Sequence, residues 1–303
     1  MRALYSNGVD RITRRSRLAM TTLCVALMGV QGCAYLLRSP SRPTPGTHYG
    51  ADGADASECL LIMLPGALDS TQEFETRGVV DELQHELPGC DLLALDTHLW
   101  DYLDGSIVDR VHEDAIVPAR QRGYRRILLL GISMGAIGAI LVARAHPADV
   151  EGLVLVGPFL GTNAFITELA RELRAVGGLA SWAASRAERP TPRIDRILQD
   201  PRPVWQWLAG YLTAPEAMPP LYLGYGRGDQ FGSGQALLAD AIDPERRFAV
   251  AGSHDWDTWA RVLREVLVSL TASFGDVGGA ERAAAPLPSG SATTAGANDR
   301  LRW

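Results

Sequence analysis

From residue 59 onward, short runs of consecutive apolar residues alternate with stretches in which apolar positions recur every three to four residues. The short runs are residues 60–64, 92–95, 126–131, 153–156, 221–224 and 247–250. A run that is apolar at nearly every position predicts a strand buried on both faces. Between the runs, Val79, Val80, Leu83 and Leu87 line one face of a helix. Ser70 and Glu73 have the spacing of a capping box at its start, and Pro88-Gly89 ends it. Val108, Val111, Ala115 and Ala119 mark a second helix over about 106–122. The small-residue stretch 136–143 predicts a third, ending near His146-Pro147, and Trp259, Val262, Leu263 and Val266 a closing one over about 256–274. This alternation predicts an α/β fold for residues 59–275, with a mostly parallel sheet and helices on both faces. In such a sheet, ligands sit beyond the carboxyl ends of the strands.

Residues 161–218 break the alternation. They read as three helices, 165–176, 179–186 and 193–213, carrying Trp182, Trp205, Trp207 and Tyr211. The expectation is a helical lid whose apolar underside covers the site; these aromatics can also pack the insertion's own core, and both can hold at once.

The ends of the chain have a different character. Arg11, Arg14, Arg15 and Arg17 precede an apolar stretch, 18–30, that is too short to cross a bilayer comfortably and suits the core of a signal peptide. It ends in Val30-Gln31-Gly32-Cys33, which resembles a bacterial lipobox. The resemblance implies a signal peptide over 1–32, lipidation of Cys33, and an anchor to a membrane on the periplasmic side of the cell envelope; a secreted protein is the alternative. Residues 33–58, rich in Pro, Ser, Gly, Ala and Asp, read as a flexible linker, and 276–303 as a disordered tail.

Composition narrows the chemistry. The 303 residues carry a net charge of −6, which argues against nucleic acid as a partner. The chain has no lysine, which excludes Schiff-base and Ser-Lys mechanisms. Cys59 and Cys90 stand at the starts of two apolar runs. If these runs are neighbouring parallel strands, the cysteines are close enough for a disulfide in an oxidising compartment. Two buried free thiols are the alternative.

The candidate chemistry centres on Gly131-Ile132-Ser133-Met134-Gly135. A G-x-S-x-G between a strand and a helix is the context of a nucleophile elbow, which exposes the serine hydroxyl on a sharp turn. Such a serine needs a base, and the base a carboxylate to orient it, in the chain order Ser, Asp, His. Only His146 and His254 follow Ser133. His146 ends the serine's own helix, whereas His254 follows the last strand. Asp229, in Gly-Arg-Gly-Asp after the preceding strand, is the carboxylate; Asp255, Asp195 and Asp200 are weaker rivals. The N–H groups of Met134 and Ala67, the latter in Leu64-Pro65-Gly66-Ala67, are the expected oxyanion donors. No His, Cys, Asp or Glu group has metal-ligand spacing; His112-Glu113-Asp114 reads as a helix face, and Asp96, His98 and Trp100 as strand-end residues able to touch substrate.

With Leu-Pro-Gly-Ala (64–67), the elbow (131–135), Gly-Arg-Gly-Asp (226–229) and Gly-Ser-His-Asp-Trp (252–256), residues 59–275 resemble the α/β-hydrolase superfamily. The resemblance implies a Ser133–His254–Asp229 triad acting through an acyl-enzyme, with no metal or organic cofactor. One departure is that no strand is evident before residue 60. The function expected is hydrolysis of a small-molecule or lipid carboxylic ester. Acyl transfer to envelope lipids or glycans is one alternative, and a non-catalytic binding lipoprotein on the same fold is another.

Overall fold

A computed structural model describes residues 39–51, 57–186 and 197–274. The chain divides into two compact units, Met1–Pro40 and Ser41–Trp303. Of the first, only Ser39 and Pro40 are described, and every described helix and strand belongs to the second. The signal-peptide reading, Cys33, Asp195 and the 276–303 tail lie outside the described residues.

In chain order the elements are β1 (Gly46–Tyr49), β2 (Cys59–Leu64), α1 (Gln72–Thr76), α2 (Val79–Glu86), β3 (Cys90–Leu95), α3 (Leu99–Leu103) and α4 (Ile107–Val111). A π-helical turn (His112–Ile116) leads into α5 (Val117–Gln121), β4 (Arg126–Ile132), α6 (Met134–Ala145) and β5 (Gly152–Val156). The insertion holds α7 (Asn163–Val176), α8 (Leu179–Ala184), α9 (Arg202–Leu208) and α10 (Gly210–Thr213); β6 (Leu221–Gly226), α11 (Gly232–Ala239), β7 (Arg247–Val250) and α12 (Trp256–Phe274) come after it. The strands form one seven-stranded sheet in the order β1-β3-β2-β4-β5-β6-β7. All pairings are parallel except β1 with β3.

The period-2 alternation of each strand divides the core in two. Leu60, Ile62, Leu64, Leu129 and Leu155 point to the face covered by α6, the helical stretch before it and the insertion. Leu61, Met63, Leu128, Leu130 and Val154 point to the face covered by α1, α2 and α12. These side chains are buried, each worth about 1.5–3 kcal/mol against exposure. Cys59 and Cys90 lie directly opposite in the β2–β3 register and are joined by a disulfide, with Cα atoms 4.5 Å apart. Closing that 31-residue separation contributes roughly 3–4 kcal/mol in the chain-entropy account.

Three expectations from the sequence are corrected. Part of the supposed linker is an edge strand: β1 pairs with β3 from Gly46↔Leu95 to Tyr49↔Leu92. Four residues set among prolines and glycines are too few for a period to show. This segment is also tied down further back, where the buried Arg110 guanidinium pairs with Asp101 (2.8 Å) and donates to the Ser41 carbonyl. The capping box at Ser70 and Glu73 does not form; Glu73 N–H donates instead to the Ser70 carbonyl, and Gly78, at φ 70°, splits the stretch into α1 and α2. A capping box forms at α3, where His98 Nδ1 accepts from Trp100 N–H and Asp101 accepts from His98 N–H. The 106–122 helix contains the π turn, which ends two residues before Pro118, a residue with no N–H for the helical ladder.

The insertion is helical, and Trp182 and Trp205 are buried in the core on the α6 face. Trp182 Nε1 donates to Glu172 (2.7 Å) and Trp205 Nε1 to the Leu160 carbonyl (3.0 Å). Their bulk belongs to the insertion's packing. Among the described residues, no helix is long and apolar enough to cross a membrane.

Candidate active site

The carboxyl ends of β2, β4, β6 and β7 carry the residues singled out by the sequence. Ser133 links β4 to α6 at φ 52° and ψ −108°, the one positive φ of a non-glycine among the described residues. Such strain persists only where the surroundings enforce it. Here the enforcement is steric: a Cβ on Gly131 would lie 2.4 Å from the Gly135 carbonyl oxygen, and one on Gly135 2.1 Å from that of Leu64. The turn is further pinned by Ser133 N–H donating to Val156 O (2.9 Å), and by Phe159 N–H donating to Ser133 O (3.1 Å).

His254 lies in the loop after β7, with Nε2 2.9 Å from Ser133 Oγ. Its Nδ1 is 2.7 Å from Asp229 Oδ2. A carboxylate accepts only, so Nδ1 carries the proton and the Nε2 lone pair faces the serine. The two loops are in contact: a Cβ on Gly226 would sit 2.6 Å from the Gly252 carbonyl oxygen, and Gly228 N–H donates to that same oxygen (2.8 Å). The ring of His254 stands between the edges of Phe231 and Trp259, each centroid 4.9 Å away.

Asp229 is buried. Burial alone would push its carboxyl up, but hydrogen bonds from His254, Gln235 Nε2 (3.0 Å) and Phe231 N–H (2.8 Å) together hold it below the ordinary carboxylate range. It therefore stays ionised opposite the imidazole.

Met134 opens α6, so its N–H lies outside the helical ladder. Gly66 and Ala67 follow β2, and a Cβ on Gly66 would stand 3.8 Å from that of Ser133. The same loop brings in Asp69, whose Oδ1 accepts from Trp256 Nε1 at 3.2 Å. Asp69 thus ties the Ala67 loop to the start of α12, next to His254.

The structure brings Ser133, His254 and Asp229 into one relay and sets Met134 and the Ala67 loop beside it. The rivals do other work. Asp255 accepts from Thr258 N–H at the start of α12 (2.8 Å), and Asp200 pairs with Arg202 (3.0 Å). His146 ends α6, away from the serine. His98 is buried and caps α3, while Trp100 is exposed. Gln235, Phe231 and Asp69 were not singled out from the sequence, and Trp259 only as a residue on the inward face of the closing helix. Gln235 could have been suspected only as a fully buried amide six residues after Asp229, and burial is not legible in a polar residue.

Residues 106–205, a third of the chain that includes Ser133, match the family described as serine aminopeptidase, S33. No curated protein matches the chain. Solved structures with a similar course include Est1E from Butyrivibrio proteoclasticus, at 14% identity and TM-score 0.49, covering 75% of this chain and 92% of that one. A ferulic acid esterase aligns at 15% identity and TM-score 0.48, covering 74% and 88%. The Paleococcus ferrophilus monoacylglycerol lipase aligns at 15% and 0.45, covering 74% and 98%. The chain is similar to serine hydrolases in sequence over residues 106–205 and has an α/β fold with a mostly parallel sheet.

Proposed function

We propose that this protein is a serine hydrolase that cleaves carboxylic esters through an acyl-enzyme. The observation that carries the reading is the relay from Ser133 Oγ through the His254 ring to a buried, ionised Asp229. Ser133 Oγ attacks the ester carbonyl while His254 Nε2 takes its proton. The oxyanion forms against the N–H groups of Met134 and Ala67, each such donor being worth about 3 kcal/mol in transition states of this kind. As the intermediate collapses, His254 returns the proton to the leaving alkoxide, and the acyl group stays on Ser133. Water, deprotonated by His254, then releases the acid and restores the serine. The imidazole acts as the base through its unprotonated Nε2.

A fluorophosphonate probe tests the nucleophile. It is expected to label the parent protein and not Ser133→Ala, with ester turnover falling on the order of 10⁶-fold in that variant. Equal labelling of both would remove Ser133 from the mechanism.

We also propose that Cys33 is lipidated and holds the enzyme on the periplasmic side of the envelope. Expressed in a bacterium, the parent chain is expected in the membrane fraction and Cys33→Ser outside it; identical fractionation would refute the anchor.

A further inference from the structure

His112 is distant in sequence from His146 and Asp149, yet meets them at the carboxyl end of α6. One ligand atom from each lies within 4.8 Å of the others. His112 Nε2 is 3.5 Å from Asp149 Oδ2, and the two imidazoles stack with centroids 3.7 Å apart at 6°. Local structure accounts for the convergence. His146 caps α6, and Asp149 N–H donates to the His146 carbonyl (3.0 Å), a turn that returns the carboxylate toward the ring. His112 opens the π turn on the neighbouring helical stretch.

We infer that His112, His146 and Asp149 form a binding site for a borderline divalent transition-metal ion, zinc above all. Two imidazoles and one carboxylate suit zinc, cobalt, nickel or copper, and not magnesium or calcium, which take oxygen-only shells. Ligands around tetrahedral zinc, about 2.0–2.1 Å from the ion, stand roughly 3.3 Å apart. The His112–Asp149 separation is close to that value. An ion in the plane of one stacked ring lies outside the plane of the other, so binding turns one ring out of the stack; both are only half-buried.

The surroundings favour a ligating state. Arg120 lies 3.6 Å from Asp149 Oδ1 and donates to the Asp149 carbonyl (3.1 Å), which orients the carboxylate and leaves Oδ2 for the ion. The helix between this cluster and Ser133 is 12 residues long, about 18 Å. The ion would therefore stay out of the ester chemistry and cross-link the π turn to the end of α6.

The test uses the full chain, purified without a polyhistidine tag and treated with EDTA. Zinc chloride titrated by calorimetry is expected to bind one ion per chain and, at about a hundredfold excess over Kd, to raise Tm by on the order of 5 °C. Cobalt is expected to give the visible d–d bands of a tetrahedral nitrogen–oxygen site. His112→Gln and His146→Gln should melt like the parent without metal, hydrolyse esters at the parental rate, and lose the ion, the cobalt bands and the Tm rise. Absence of zinc binding and cobalt bands in the parent, or equal zinc binding by both variants, would overturn the inference.

Discussion

Asp69 is placed where a carboxylate is least comfortable. Burial pushes its carboxyl above the ordinary range, and Glu73 adds to this; Trp256 and Arg77 pull the other way without prevailing. The folded protein thus holds the proton more tightly than the unfolded chain does. The stability this confers is complete below the unfolded value, about 3.9, and is lost as pH rises through the folded one. Asp69→Asn keeps an oxygen for Trp256 Nε1 but carries no charge. Its Tm is expected to exceed the parent's at pH 7–8, with the difference closing by about pH 3. A pH series of thermal melts reads this directly; a lower Tm for the variant at neutral pH would mean that the carboxylate is retained because its charge stabilises the fold. Gln235 poses the converse problem. Its amide N–H₂ steadies Asp229 and also donates to the Pro158 carbonyl (3.3 Å), so one uncharged residue couples the carboxylate to the loop after β5.

At the scale of elements, the junction of β2, β4 and α6 carries the most constraint. The carbonyls of Leu64 and Pro65 lie where a Gly135 side chain would be. These are backbone atoms, so Gly135→Ala must displace either α6 or the Ala67 loop, separating the two proposed oxyanion donors. The expected result is a loss of about 1–3 kcal/mol or more in stability, from overpacking, and a drop in turnover larger than the loss of folded protein explains. Melting and probe labelling of the soluble fraction measure the two separately; normal turnover in a stable variant would refute the argument. The same junction explains why it was legible in the sequence. Glycine at 131 and 135, an apolar run before and small residues after are all required by one close approach, so the pattern and the contact carry the same information. β1 was illegible for the opposite reason: its four residues owe their extended form to the free edge of β3, a tertiary partner with no local signature. The split of α1 from α2 and the π turn before Pro118 likewise depend on single residues, Gly78 and Pro118, that interrupt a pattern without erasing it.

Over the whole molecule, the strand order was beyond the reach of the sequence, but the end of the sheet at which chemistry gathers was not. Ser133, Asp229 and His254 each follow an apolar run, and a parallel sheet brings such positions to one end whichever strands are neighbours. The His112, His146 and Asp149 cluster had no such guide, since it joins two helical elements through packing alone. The insertion's tryptophans were legible as aromatics but not as buried ones, because a lid underside and a small core demand the same composition. The arrangement of β6 and β7 at the sheet's far edge bears on how the protein comes into being. Asp229 and His254 both arrive after the serine, and the histidine loop is seated only when α12, which runs from Trp256 to Phe274, packs on the face shared with α1 and α2. A chain emerging from the ribosome presents its serine long before it has a base. The esterase chemistry proposed for this molecule is therefore assembled only once α12 has been made and has packed.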